Sequence, residues 1–278
     1  MSLDAAELAI RDADLDAALQ ALQSHIRSHP ADVKPRVFLF QLFSVLGQWE
    51  RAHTQLNVAA ELDASTLAMA QMYRAALQCE ALRADVFAGR KAPMIVGEPD
   101  EWMALLVESL LTARQGSAAP GHSDALRRRA FETAPATSGS IDGQPFEWIA
   151  DGDSRLGPMC EAVINGRYCW VPFSRLSRID IEAPADLRDV VWMPAHFEFV
   201  NGGDAVAVIP TRYPGSEASA DAALRLARRT EWTAAGPDAY HGLGQRLLTT
   251  DAGEYALMDV RTIVLGGEGV AAQAAEHG

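Results

Sequence analysis

Asp151-x-Asp153-x-Arg155 is the pattern in this chain with the strongest outward claim to chemistry. Alternating carboxylates open calcium-binding loops, because each offers an oxygen to a hard cation. Such a loop also needs glycine at its sixth position and glutamate at its twelfth, where this chain has Leu156 and Ala162. A structural network therefore outweighs a metal site, with Arg155 pairing a carboxylate while Gly157-Pro158 turns the chain. His196-Phe197-Glu198 has the opening of a zinc deaminase motif, but that cage needs a later Pro-Cys-x-x-Cys and no cysteine follows His196. On a strand, His196 and Glu198 simply share one face. There is no Gly-x-Ser-x-Gly elbow, phosphate-binding loop or dinucleotide fingerprint. No catalytic residue, cofactor or metal is expected.

The segment Thr211 to Glu217 is harder to assign to structure alone. Pro214-Gly215 is a turn signal, Ser216 or Ser219 can cap a following helix, and Glu217 suits that helix's positive end. Arg212 and Tyr213 are not needed for any of this, and an exposed Arg-Tyr pair has the composition of a binding hot spot. Asp151, Asp153, Arg155, Arg212 and Tyr213 thus define a possible second surface. If they converge in a pocket, the reading is a hydrolase or a small-ligand site; if they are dispersed or locked in turns, it fails. Trp170 and Trp192 lie inside apolar runs and are expected in the core.

Two kinds of element must carry these residues. Asp14 can cap a helix whose apolar positions Leu15, Leu19, Leu22 and Ile26 are spaced four, three and four apart, ending before Pro30. The pattern recurs 34 residues on, with Trp49, Glu50, Ala52 and Leu56 matching Leu15, Asp16, Ala18 and Leu22, and 34 is the tetratricopeptide period. A third, degenerate unit is capped by Ser65. Further helices start at Asp100 and over Ser123 to Ala134, separated by Gly116 to Gly121, for about seven in all. Thr133 to Gly143 reads as a linker, and the period then changes. Arg167 to Phe173, Arg178 to Glu182, Val190 to Val200 and Ala205 to Ile209 read as strands, with Asn201-Gly202-Gly203 as a hairpin turn. A helix over Ala218 to Arg229 and a last hairpin of Leu243 to Thr250 with Tyr255 to Leu265 complete the fold, and Gly266 to Gly278 is expected to be a mobile tail. The fold class is multidomain α and α+β: a tetratricopeptide-like α-solenoid over residues 1–136, then a mainly antiparallel α+β domain over 137–278.

A groove in such an array is lined by the first helix of each unit. That register places Val37, Phe38, Gln41 and Val45 there from the second unit, and Gln71, Met72, Ala75 and Cys79 from the third. These apolar positions with a few amides suit a partner's amphipathic helix, with Phe38, Val45 and Met72 as anchors, better than a C-terminal carboxylate. The alternative is that the short array closes on itself or on the second domain and buries the same residues. A homodimer is a third possibility, and the oligomeric state is left open.

The totals narrow the class. With 49% hydrophobic and 22% charged residues the chain can bury a core, and its net charge of -13 with no basic stripe argues against nucleic acid. No stretch approaches the roughly 18 apolar residues of a membrane span, and with no positive region ahead of an apolar run near Met1 no leader is expected. Three cysteines without ligand spacing are expected as free thiols, and the protein is expected in the cytosol.

The Asp-x-Asp-x-Arg block, Trp170-Val171-Pro172-Phe173, Asn201-Gly202-Gly203 and Pro210-Thr211-Arg212-Tyr213-Pro214-Gly215-Ser216, in that order, resemble the ImpE/TagJ family of type VI secretion accessory proteins. The resemblance implies a binding and scaffolding component rather than an enzyme. It implies as partner the small contractile-sheath subunit, through that subunit's N-terminal helix, and through it an effect on the sheath-disassembly ATPase. It carries over no catalytic residues.

Overall fold

The computed structural model describes residues 3–115 and 121–266. The chain opens with α1 (Leu3–Arg11), α2 (Leu15–Ser28), α3 (Val33–Val45), α4 (Trp49–Leu62) and α5 (Leu67–Phe87). Asp14 accepts from the backbone N–H of Ala17 and so starts α2 where the spacing places it. The repeat is real at its tightest points, since Ala18, Leu22, Ala52 and Leu56 are all fully buried. The third unit departs from it. Its cap is Asp63, which accepts from Ser65 N at 2.8 Å, rather than Ser65 itself. Its helix α5 runs for 21 residues because it is buried along two faces. Tyr73 packs against Phe40 of α3, while Phe87 packs against Trp170.

A two-residue strand, β1 (Met94–Ile95), precedes α6 (Glu101–Gln115) and α7 (His122–Thr133). The expected separator between those helices lies mostly outside the described residues, as does nearly all of the expected tail. Strands follow: β2 (Gly139–Ile141), β3 (Gln144–Phe146), β4 (Ile149–Asp151), β5 (Met159–Ile164), β6 (Arg167–Pro172), β7 (Leu176–Ile181), β8 (Trp192–Phe199) and β9 (Asp204–Pro210). The last part holds α8 (Ala222–Arg225), β10 (Thr230–Gly236), β11 (Ala239–Gly244), β12 (Leu247–Thr250), β13 (Glu254–Ala256) and β14 (Thr262–Leu265).

Nine strands make one sheet in the order β1-β6-β5-β9-β8-β7-β14-β2-β3, antiparallel except where β1 pairs with β6. The fold class is as expected: a helical region followed by a mainly antiparallel sheet. One hydrophobic cluster joins Leu22, Phe40 and Tyr73 of the helices to Trp170 and Trp192 of the sheet. A second, with Phe173, Ile179, Phe197 and Ile263, fills the rest of the sheet region. Both tryptophans expected in the core are fully buried.

Three expectations about elements need correction. The expected linker contains β2, whose small residues are there for contact: a Cβ on Gly139 would lie 2.0 Å from the carbonyl oxygen of Val264. The expected helix over Ala218 to Arg229 shrinks to four residues, started by Asp221 and ended before Ala227, which has φ of +52°. The last hairpin is β12 with β13 only. β11 pairs instead with β10, and β14 leaves to join the large sheet between β7 and β2.

Candidate functional site

Two sites emerge from these elements, one closed and one open. The closed site lies where α5 crosses the sheet. Glu161, in the middle of β5, is fully buried and receives Arg83 of α5 (Nε to Oε1, 2.6 Å), Arg246 just before β12, and the Tyr168 hydroxyl at 2.7 Å. Arg246 also donates to Asp151, which accepts a further hydrogen bond from the Tyr213 hydroxyl at 3.1 Å. Glu80, one turn before Arg83, accepts from Trp192 Nε1 at 2.8 Å. Asp153 accepts from Arg155 Nε at 2.8 Å and from the backbone N–H of Gly242 at 2.9 Å.

Each carboxylate of this cluster is therefore met by an arginine, Glu80 by Arg83 at 3.5 Å, which is what burial of ions requires. The pKa directions follow the balance. Burial pushes Glu161 and Asp153 upward, but the arginines on each outweigh it and hold both below the usual carboxylate range. At Asp151 burial wins over Arg246 and raises the group to about 6, and Glu80 is likewise raised by burial. The cavity bounded by Asp151, Glu161 and Arg246 measures about 10 Å³. That is room for at most one water molecule. The arrangement can fasten a helix to a sheet but has no space for a substrate.

This places the expected second surface in the interior. Asp151, Asp153, Arg212 and Tyr213 are at most 4% exposed, and Arg155 lies over the Phe87 ring at 4.7 Å. The chain does bring them together, in a network of salt bridges and turns rather than on an exposed face. Arg212 has a structural task instead: it donates to the carbonyls of Val45 (2.8 Å) and Ser44 (3.2 Å) at the C-terminal end of α3. Carbonyls there outnumber helical donors, and the helix dipole favours a cation. Arg228 treats the end of α1 in the same way, donating to Ile10 and Arg11. Arg188, whose sequence neighbourhood suggests only a local salt bridge, pairs with Asp186 at 2.5 Å, lies 5.0 Å above the Tyr73 ring and donates to Met69, docking the turn Leu187–Val190 onto α5.

The open site is a groove of about 610 Å³ between α1, α3 and that same turn. Val37, Phe38 and Gln41 line it, together with Ile10 of α1 and Leu187 of the turn. Val37 and Phe38 are half-buried, whereas Gln41 is nearly covered. The other expected groove residues lie elsewhere. Val45 is fully buried under Arg212, Gln71 is exposed and Met72 is half-buried against the core, and none of the three borders this groove. Ala75 and Cys79 face the sheet near Gly166, so the third unit closes on the strands as the alternative reading had it.

Sequence reasoning missed Glu80, Arg83, Glu161 and Arg246. A signal existed for Glu161, a single charge within the apolar run Met159-Cys160-Glu161-Ala162-Val163-Ile164. It put His196 and Glu198 on one strand face but did not foresee Asp180 beside them, with ligand atoms of the three within 4.8 Å of one another. Arg178 already occupies Asp180 at 2.7 Å, and Asp204 holds His196 at 3.0 Å, so the cluster is a cross-strand ion network. Among the described residues no helix is long and apolar enough to cross a membrane.

Comparison with known proteins is consistent across the chain. Residues 143–264 match the family model described as ImpE protein. The chain is 50% identical over 258 residues to the type VI secretion system accessory component TagJ of Pseudomonas aeruginosa, covering 93% of this chain and 90% of that protein. The X-ray crystal structure of protein VPA1032 from Vibrio parahaemolyticus matches it with a TM-score of 0.83 at 25% identity, over 94% of this chain and 97% of that one.

Proposed function

The chain belongs to the ImpE family, and from that premise we propose that it is a non-enzymatic adaptor of a type VI secretion system. Its partner in this reading is the small contractile-sheath subunit, held through that subunit's N-terminal helix, so that it influences how the disassembly ATPase handles the sheath. The observation that supports this most is the contrast in access. The charged residues that could serve catalysis are sealed around about 10 Å³, while the open groove of about 610 Å³ presents Ile10, Val37, Phe38 and Leu187. An apolar stripe of that kind takes the apolar face of an amphipathic helix, with side chains spaced three and four apart.

The test is a calorimetric titration of the full chain with a synthetic peptide of that N-terminal helix. Saturable binding supports the adaptor. No heat with the peptide, and none with the whole sheath subunit, would overturn it.

A further inference from the structure

A second cavity, away from the groove, lies in the seam between helices α5 to α7 and the β10–β11 hairpin. It measures about 270 Å³, just under the roughly 300 Å³ at which small-molecule sites usually begin. Its floor is apolar, from Phe87, Leu106 and Leu110, and its polar wall is Arg127, Ser154, Arg155 and His241. Each of these four keeps a donor, whereas Ser109 and Ser123, also on the lining, spend their hydroxyl protons on each other's carbonyls. Arg155 spends Nε and Nη2 on Asp153, leaving Nη1. Arg127 spends Nη1 on Asp124 and Nη2 on the carbonyl of Pro237, leaving Nε. Ser154 Oγ accepts from Tyr240 N and keeps its own proton to donate. The His241 ring makes no hydrogen bond among the described residues. Three of these four residues are basic in type.

The sign of the local field agrees. His241 is held below its ordinary pKa first by burial, then by Arg155; Asp153 works against this, and Arg127 adds to it. Arg155 thus outweighs Asp153 at the His241 ring.

We infer that this seam cavity binds a compact organic anion, a carboxylate or phosphate whose apolar portion rests on Phe87 and Leu110. Charge-assisted hydrogen bonds from two arginines, with a histidine and a serine beside them, fit an oxyanion, and the stacked guanidinium of Arg155 is already fixed in place. Because the wall joins α7 to β11 and to the loop after β4, an occupant would tie the α6–α7 pair to the β10–β11 hairpin and that loop. The site is independent of the adaptor reading, since it shares no residue with the groove.

Calorimetric titration of the full chain with inorganic phosphate, and separately with succinate, at fixed ionic strength tests it. Saturable binding of at least one is expected, weakened at least roughly tenfold by His241→Ala and by Arg127→Gln, as loss of a hydrogen bond to a charged group implies. Circular dichroism melts without anion establish that the variants are folded, and if Arg127→Gln is not, His241→Ala decides. Binding unchanged in the folded variants, or absent for both anions, overturns the inference. Either result leaves the peptide titration of the groove unaffected.

Discussion

The groove fronted by Val37 and Phe38 and the ion cluster centred on Glu161 are built from opposite materials. The groove leaves ordinary apolar side chains half-exposed around open space, while the cluster seals its charges where they meet no solvent. The residues that look most chemical in the sequence have gone inside to join the two halves, and the plain ones remain at the surface. A dense set of motifs therefore marks architecture here. The same arginines that resemble hot-spot residues terminate helices or neutralise carboxylates.

The comparison can be broken most easily at Glu161. Glu161→Gln leaves Arg83 and Arg246 short of a countercharge, and removing one partner of a buried ion pair costs roughly 3–5 kcal/mol. Urea denaturation should show a loss of that size, with peptide affinity per folded molecule unchanged. A loss under about 1 kcal/mol, the level of a surface pair, would mean the cluster is no fastener. Arg212→Met should cost about 1.5–3 kcal/mol by the same measurement, because the Ser44 and Val45 carbonyls lose a charged donor.

Acidity sharpens the cluster side of the comparison. Glu161 and Asp153 titrate below their unfolded values, so the stability they contribute is complete above about pH 4 and is lost as pH falls below it. Asp151, raised to about 6, acts oppositely: its contribution is present below about pH 4 and is lost as pH rises through 6. Asp151→Asn should therefore gain less stability than the parent on acidification from pH 7 to 5, read as urea midpoints. Equal gains would contradict the raised value. The smallest stability effect is expected in the groove, where Leu187→Asp should shift unfolding by no more than about 1 kcal/mol while weakening peptide binding about tenfold or more.

The start of α2 was legible because Asp14 and the apolar spacing after it are local signals, and β6 because its apolar run is bounded by turn residues. The small strand β2 was not, since Gly139 and Ser140 are chosen for close strand contact and carry a loop's composition. The groove was half legible. Register along α3 finds Val37, Phe38 and Gln41, but it cannot see that Arg212, 167 residues away from Val45, covers the helix end. Nor can spacing reveal that Leu187 completes the wall. The cluster escaped for the same reason: Arg83 and Glu161 are 78 residues apart, and Arg246 and Asp151 are 95 apart. Charged residues default to surface expectations, and only the folded pairing reverses that.

The central claim is that partner binding belongs to the groove and stability to the cluster. Phe38→Asp, titrated with the sheath-subunit helix peptide and melted in parallel, tests it most directly. The account predicts a folded protein with nearly the parent's melting temperature and no detectable binding. Undiminished affinity in the folded variant would contradict it.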